Sequence, residues 1–186
     1  MEATAVQHPM SWEDFLTWEE AREGRFEYIQ GEVIDVTGTT DRHNTVAGNL
    51  YLWLRGQLRG TPCRTFMSDV QVRVEAADAA FYPDVVVTCD PADAQQRRVK
   101  HAPSLIAEIL SESTAGYDTG RKFHCYRRLE SLREYLLIDP DRCCVEVFRR
   151  GGDGHWLVET YAEGETVPLP GIGVELPVAT LYEDLP

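Results

Sequence analysis

Residues 103–114 read PSLIAEILSEST, and within them Glu108 stands among Leu105, Ile106, Ala107, Ile109 and Leu110. The run lacks period-2 alternation, which is how a strand covered on both faces reads. Residues 82–90, YPDVVVTCD, share that character and the same anomaly, because Asp84 precedes three valines. Both segments are expected at the centre of a sheet. A charge left unpaired there would cost several kcal/mol, so each carboxylate needs a partner. If the strands are neighbours, the two acids repel one another unless a cation sits between them. Hard oxygen ligands with water completing the shell suit Mg²⁺ or Mn²⁺ rather than zinc. Two plainer readings stand beside this one: amide hydrogens at a strand start could satisfy Asp84, and an arginine could satisfy Glu108.

Working outward, MSWEDFLTWEEAREG (10–24) has the marks of a helix. Ser11 is its cap, Asp14 closes a capping box, Met10 and Phe15 form a hydrophobic staple, and Gly24 is the stop. RFEYIQGEVIDVTG (25–38) reads as two strands around a turn at Gln30-Gly31. After a polar break, TTDRHN (39–44), a second helix is expected from Thr45 to Leu58, with Val46, Leu50, Trp53, Leu54 and Leu58 toward the core. RTFMSDVQVRVE (64–75) alternates throughout and reads as one half-buried strand. PADAQQRRVKHAP (91–103) is a polar loop or short helix. A third helix is expected from Asp118 or Thr119 to Leu129, then strands in EYLLIDP, CCVEVFRR and HWLVETY, and an irregular or edge-type tail. The order predicts a mixed sheet flanked by helices, α/β or α+β in class, in one domain over 1–186 with poorly ordered tails at 1–9 and 183–186.

At 186 residues the chain can bury a sizeable core without staples. The five cysteines form no CxxC pair, are odd in number and include the adjacent Cys143 and Cys144. No disulfide framework or zinc knuckle is expected, and a reducing cytoplasm fits best. No apolar run approaches the ~18 residues of a membrane span, so no membrane partner is expected. The formal net charge of −13 argues, alone, against nucleic acid. Residues 97–150, however, carry 11 of the 18 basic side chains against 8 acidic ones. That balance makes the middle of the chain locally basic.

Lysine usage sharpens the picture. Only Lys100 and Lys122 are lysines; the other 16 basic residues are arginines. Lys122 falls early in the third helix, with Asp118 before it and Tyr126 one turn later on the same face. A compact ammonium suits orienting a water or neutralising a phosphate better than a guanidinium fork does.

In content and order, the segments FEYIQGEVIDV, RHNTVAGNLYLWL, SDVQVRV, YPDVVV, PSLIAEILSEST and YDTGRKFHCYRRLESLREYLLIDPDRCCVEVFRR resemble the bacterial Uma-type endonuclease family. That family belongs to the restriction-endonuclease-like PD-(D/E)XK superfamily, and the resemblance spans roughly residues 10–182. It implies a restriction-endonuclease-like core with an added amino-terminal helix and hairpin. Position by position, Asp84 matches the PD aspartate and Glu108 the second metal-binding acid, with the Ile109 carbonyl completing a metal shell. The superfamily's lysine position, two residues after that acid, is Leu110 here, so the resemblance implies that Lys122 supplies the ammonium from the next helix. Glu27 or Glu32 and His43 match recurrent polar positions. The family's Ser-Pro-Ser-Thr loop reads Ser111-Glu112-Ser113-Thr114 here, an acid in place of the proline.

The leading expectation is a Mg²⁺- or Mn²⁺-dependent endonuclease acting on nucleic acid, with DNA the expected polymer. Asp84, Glu108 and Lys122 would carry the chemistry, and Arg97, Arg98, Arg121, Arg127 and Arg128 would hold flanking phosphates. A homodimer fits double-strand cutting, which needs two sites. The rival expectation is a nuclease-like fold without activity that binds nucleic acid or protein, and a weaker one is a hydrolase of small phosphorylated molecules. Nucleophilic serine or cysteine chemistry is disfavoured, because no G-x-S-x-G elbow, H-E-x-x-H pair or glycine-rich phosphate loop occurs.

Overall fold

A computed structural model of the chain describes residues 9–36, 40–111 and 115–185. Helix α1 (Trp12–Glu20) starts at its capping box: the Asp14 amide donates to Ser11 Oγ at 3.1 Å, and Ser11 Oγ donates to Asp14 Oδ2 at 2.8 Å. The hairpin of β1 (Phe26–Ile29) and β2 (Glu32–Asp35) turns on Gln30 and Gly31, with φ of 49° and 88°. Positive φ at both positions matches the right-handed twist of the flanking strands. Gly31 is doubly constrained, since a Cβ there would lie 2.7 Å from Pro9 Cβ. Helix α2 (Asp41–Gln57) begins four residues before the expected Thr45, because Thr40 caps it by accepting from the His43 amide at 3.2 Å. Of the expected polar break, Thr39 lies outside the described residues, and 41–44 form the first helical turn.

The single strand expected over 64–75 is two strands in different sheets, β3 (Arg64–Met67) and β4 (Gln71–Val74). Ser68 breaks it at φ 57°, and the Asp69 amide turns back to the Met67 carbonyl. Nor is β4 half-buried. Gln71 and Arg73 are as enclosed as Val72 and Val74, and Arg73 Nη2 meets Asp78 Oδ1 at 2.7 Å with its guanidinium over Trp12.

A 3₁₀ turn (Glu75–Ala77) leads to β5 (Ala79–Phe81), β6 (Val85–Thr88), α3 (Pro91–Gln95), β7 (Val99–Lys100) and β8 (Pro103–Ile109). The third helix starts three residues early and changes pitch: α4 (Ala115–Tyr117), a π turn (Asp118–Lys122) and α5 (Phe123–Tyr126). It ends at Tyr126 rather than Leu129. Strands β9 (Glu134–Asp139), β10 (Cys144–Arg150) and β11 (Trp156–Ala162) follow as expected. The tail is more regular than expected, forming the hairpin β12 (Thr166–Leu169)–β13 (Val174–Pro177) and the short helix α6 (Val178–Leu181). Of the expected loose tails, 1–8 and 186 lie outside the described residues; Asn49 Nδ2 donates to the Leu181 and Glu183 carbonyls, and Leu185 packs on the core.

The class is mixed α/β. A six-stranded sheet runs β11-β10-β9-β8-β6-β3, parallel only between β8 and β9, and a five-stranded sheet runs β2-β1-β5-β4-β7, parallel only between β4 and β7. The two anomalous strands, β6 and β8, lie side by side near the centre of the larger sheet. One face of that sheet buries Val85, Val87, Leu105, Ala107 and Ile109 against Val46, Leu50 and Leu54 of α2. The other face buries Val86, Ile106, Tyr135 and Leu137 with Val72, Phe81 and Tyr126. Each fully buried aliphatic side chain stabilises the fold by about 1.5–3 kcal/mol, and a one-residue slip would exchange the faces.

The expectation that no disulfide is encoded is corrected. Cys63 and Cys89 are bonded at the far ends of the paired strands β3 and β6, 26 residues apart; Cys125, Cys143 and Cys144 are free thiols. The compartment inferred from absent disulfides loses that support. Closing a loop of this length removes denatured-state entropy worth about 3 kcal/mol. A Cys63→Ser/Cys89→Ser variant is therefore expected to unfold at lower urea concentration than the oxidised protein and to match the reduced one. A midpoint unmoved by either change would count against a bond in solution. Among the described residues no helix is long and apolar enough to cross a membrane.

Candidate active site

Val85 pairs with Ala107 in the antiparallel β6–β8 register, so the next step sets Asp84 opposite Glu108 on the same face of the sheet. There the side chains replace the ladder: the Ile109 amide donates to Asp84 Oδ2 at 2.8 Å, and the Asp84 amide reaches Glu108 Oε2 at 3.4 Å. His43, in the first turn of α2, places Nε2 3.2 Å from Asp84 Oδ2. Pro83 cannot donate to a ladder and so leaves the strand start open for these contacts.

Across from Glu108, the ammonium of Lys122 lies 3.2 Å from Glu108 Oε1, 3.0 Å from Glu27 Oε1 and 3.3 Å from Asp118 Oδ1. Glu108 comes from the larger sheet, Glu27 from β1 of the smaller one, and Asp118 and Lys122 from the π turn between them. A π turn is widened relative to an α turn and recurs at functional sites; here it puts Asp118 and Lys122 on one face while Tyr126 follows a turn later. Tyr126 OH donates to Glu108 Oε1 at 3.2 Å, Tyr117 OH to Glu27 Oε2 at 2.9 Å, and Tyr135 OH to the Asp118 carbonyl at 2.9 Å. Glu27, Glu108, Asp118 and Lys122 are all buried, whereas the Asp84 side chain keeps 21% exposure. Asp84 opens onto a cleft of about 710 Å³ lined also by His43, Asn44, Ser68, Asp69 and Tyr82.

The charges of this cluster do not balance within the protein. Burial drives the Glu108 carboxyl well above the usual carboxylate range; Lys122 opposes that, while Asp118, Asp84 and Glu27 add to it. Burial alone would lower the Lys122 ammonium, but the three carboxylates outweigh it and raise it well above its usual value. Burial and the Glu108 charge likewise push the Tyr126 hydroxyl up, so it remains a proton donor. One ammonium thus faces three carboxyls, and burial disfavours the ionised form of Glu108 in particular.

That surplus of oxygen donors over cations is what a divalent ion would relieve. Asp84 lines the cleft and Glu108 lies buried beside it, and Mg²⁺ is commonly held by one or two carboxylates while keeping several waters. Among the described residues no group of three or more His, Cys, Asp or Glu is arranged to hold a metal. Two carboxylates with waters completing the shell are the kind of oxygen donors a magnesium-type ion takes, unlike the nitrogen and sulfur ligands of a closed zinc cage.

Of the sequence candidates, Asp84, Glu108, Lys122, Glu27, His43, Asp118 and Tyr126 converge. Glu32 does not: it points outward and pairs with Arg121 at 2.5 Å. The arginines are dispersed. Arg98 pairs with Glu20 at 3.0 Å, Arg128 donates to the Ala76 carbonyl at 2.8 Å, and Arg97 and Arg127 are exposed. Of the Ser111–Thr114 loop, residues 112–114 lie outside the described residues. Sequence reasoning missed Tyr117 and Tyr135, whose tips find polar partners, and Tyr82, whose amide reaches Glu27 Oε1 at 3.3 Å. The only signal for them was a tyrosine beside a candidate motif. Lys100 shows that the rarity of lysine marked burial as well as chemistry, because its ammonium closes the end of α3 on the Asp93 and Gln96 carbonyls.

Comparison with known proteins gives the same picture of the fold. The sequence profile of the Uma2 family, described as "putative restriction endonuclease", matches residues 12–179. Two uncharacterized proteins of Synechocystis are similar: slr1290 is 31% identical over 176 residues (95% of this chain, 93% of that protein), and sll1609 is 38% identical over 148 residues (78% and 83%). The crystal structure of a putative nuclease of the DUF820 group from Anabaena variabilis superposes with a TM-score of 0.79 over 96% of this chain and 100% of that one, at 21% identity.

Proposed function

The chain belongs to the Uma2 family, and from that premise we propose that it is a divalent-metal-dependent endonuclease that hydrolyses phosphodiester bonds of DNA at the Asp84–Glu108–Lys122 cluster. The carrying observation is the pair of carboxylates set opposite one another on β6 and β8, with a single buried ammonium among three acids behind them.

Asp84 and Glu108 would hold the ion, with the Ile109 carbonyl as a further donor. When bound, such an ion supplies Lewis acidity toward the phosphodiester oxygens. The Ile109 amide and His43 hold the Asp84 carboxylate in one rotamer, and Tyr126 does the same for Glu108. Lys122 keeps Glu108 ionised when the extra charge arrives and presents positive charge beside the position where negative charge develops in the transition state. The Asp84 side of the cluster is the accessible side, so substrate approaches from the 710 Å³ cleft.

Asp84→Asn is the cleanest test, because the side chain is partly exposed and the substitution keeps its shape. Supercoiled plasmid incubated with Mg²⁺ or Mn²⁺ should be nicked by the wild type and not detectably by Asp84→Asn. Calorimetric titration with Mn²⁺ should show heat of binding that Asp84→Asn loses. Equal cutting by both proteins would sink the assignment, while metal binding without any cutting would favour the inactive, nucleic-acid-binding reading. Activity on a panel of nucleotides alone would favour a small phosphorylated substrate.

A further inference from the structure

Residues 42–68 contain four of the 18 basic side chains, Arg42, Arg55, Arg59 and Arg64, and none of the 31 acidic ones. Spread evenly, the acids of this chain would place four or five in a stretch of that length. The difference from α1 is plain: that helix has Glu13, Asp14, Glu19 and Glu20 in nine residues.

The acid-free stretch folds into one wall and the floor of a groove. Along α2, His43, Ala47, Tyr51 and Arg55 follow one another at i, i+4 on a single ridge, and Arg59 lies just past the carboxyl-terminal cap, Leu58. His43 touches Asp84 at one end. At the other end Arg55, Arg59 and Arg64 surround a cavity of about 550 Å³ between α2 and β3, together with Tyr51, Phe66, Met67 and Val70. Past Met67, Ser68 and Asp69 line the cleft of Asp84. The two cavities therefore share α2 on one side and β3 with its continuation on the other. From His43 to Arg55 the ridge is about 18 Å long. One strand of B-form DNA presents a phosphate about every 3.4 Å along the axis, so roughly five pass over that distance.

The guanidiniums at the far end are available. The Arg59 guanidinium has no hydrogen bond or ion pair among the described residues; only the backbone amide of that residue is bonded, to the Gly56 carbonyl. Arg55 Nη1 donates to Tyr51 OH at 2.8 Å, and Arg64 Nη1 donates to the Thr61 and Cys63 carbonyls. By contrast Arg98, Arg121 and Arg149 are each neutralised by a glutamate. Cations at a helix carboxyl terminus favour the helix dipole, and that plainer account covers Arg55 and Arg59. It does not cover Arg64 on β3, the absence of acids from residues 42–68, or the way α2 and β3 lead on to the cleft of Asp84.

We infer that the groove between α2 and β3 is the track on which the DNA backbone lies as it leaves the Asp84 cleft, with Arg55, Arg59 and Arg64 contacting its phosphates. The inference rests on the nuclease reading and adds the docking face to it. The test is fluorescence anisotropy of a labelled duplex oligonucleotide in EDTA, so that nothing is cut, across a salt series. Four proteins are compared: wild type, Arg55→Gln/Arg59→Gln/Arg64→Gln, the same three positions changed to lysine, and Arg97→Gln/Arg127→Gln/Arg128→Gln, with thermal melts confirming that each is folded. The groove glutamine variant should bind at least tenfold more weakly at about 0.1 M salt, and the slope of log K against log salt should shrink by nearly three, at about 0.9 for each lost phosphate contact. The lysine variant should stay near wild type, and so should the variant at 97, 127 and 128. Wild-type affinity and slope in the groove glutamine variant, or loss appearing instead in the variant at 97, 127 and 128, overturns the track and leaves the nuclease reading standing. Absence of any wild-type binding overturns both.

Discussion

Lys122→Met is expected to destabilise the protein by about 3–5 kcal/mol, because removing one partner of a buried ionic cluster leaves the others uncompensated. Glu27, Glu108 and Asp118 all point at that ammonium within 3.3 Å, and the side chain is buried. Methionine fills the volume, so the loss reports charge and not a cavity. The pH dependence gives the result its signature. Lys122 is raised above its ordinary value in the folded state, so its contribution is fully present below about pH 10.5 and is lost as pH rises through the raised folded value. In the variant, three carboxyls without a cation are relieved by protonation. The deficit should therefore shrink toward acid, where Glu108, already raised by burial, takes up its proton first. Urea midpoints of both proteins at pH 8 and pH 5 check this: a deficit of under 1 kcal/mol at pH 8, or one that grows toward pH 5, would show that the ammonium does not balance the cluster.

The parts of the site that could be read from the chain were those where residue type conflicts with neighbourhood. Asp84 and Glu108 stood out because valine and isoleucine surround them, and Lys122 because arginine is used nearly everywhere else. Glu27 could not be told from Glu32 until the hairpin was seen to turn one glutamate inward and the other outward. The break at Ser68 was invisible for a different reason: alternation continues unchanged across it, so periodicity cannot report that the chain leaves one sheet for another. Likewise, a single π turn of five residues is too short for hydrophobic periodicity to distinguish it from an α-helical turn. The bond between Cys63 and Cys89 depends on β3 lying beside β6, a fact of topology with no local motif. Charge was the least legible quantity. An excess of arginine over 97–150 suggested a phosphate surface, yet several of those side chains meet internal acceptors, and the informative pattern was the absence of acids over 42–68.

Glu108→Gln is expected to abolish cleavage, by about 10³-fold or more, while leaving the metal-free protein as stable as the wild type or more so. The two halves have one physical cause. In the folded protein the Glu108 carboxyl is raised above its ordinary value, so above about pH 4.5 its ionisation is harder in the folded than in the unfolded chain, and stability declines as pH rises toward the folded value. Glutamine removes that charge and its pH-dependent cost. Its amide oxygen still accepts from Tyr126, and Lys122 keeps Glu27 and Asp118. The substitution gives up the charge facing Lys122 at 3.2 Å and the weak 3.4 Å contact from the Asp84 amide, against the cost of ionising a buried carboxyl. What glutamine cannot supply is an anionic oxygen for a divalent ion. Thermal melts in EDTA and in Mn²⁺, run beside a plasmid assay, separate the cases. Mn²⁺ should raise the melting temperature of the wild type and not of Glu108→Gln, and the two proteins should melt together, or the variant higher, in EDTA. A variant that melts far below the wild type in EDTA would mean that Glu108 is held for structure. One that keeps cutting would mean that the ion, if present, sits elsewhere. A carboxyl whose ionised form is disfavoured by burial, set opposite a second acid that opens onto a cleft, is better explained by what it binds than by what it packs against.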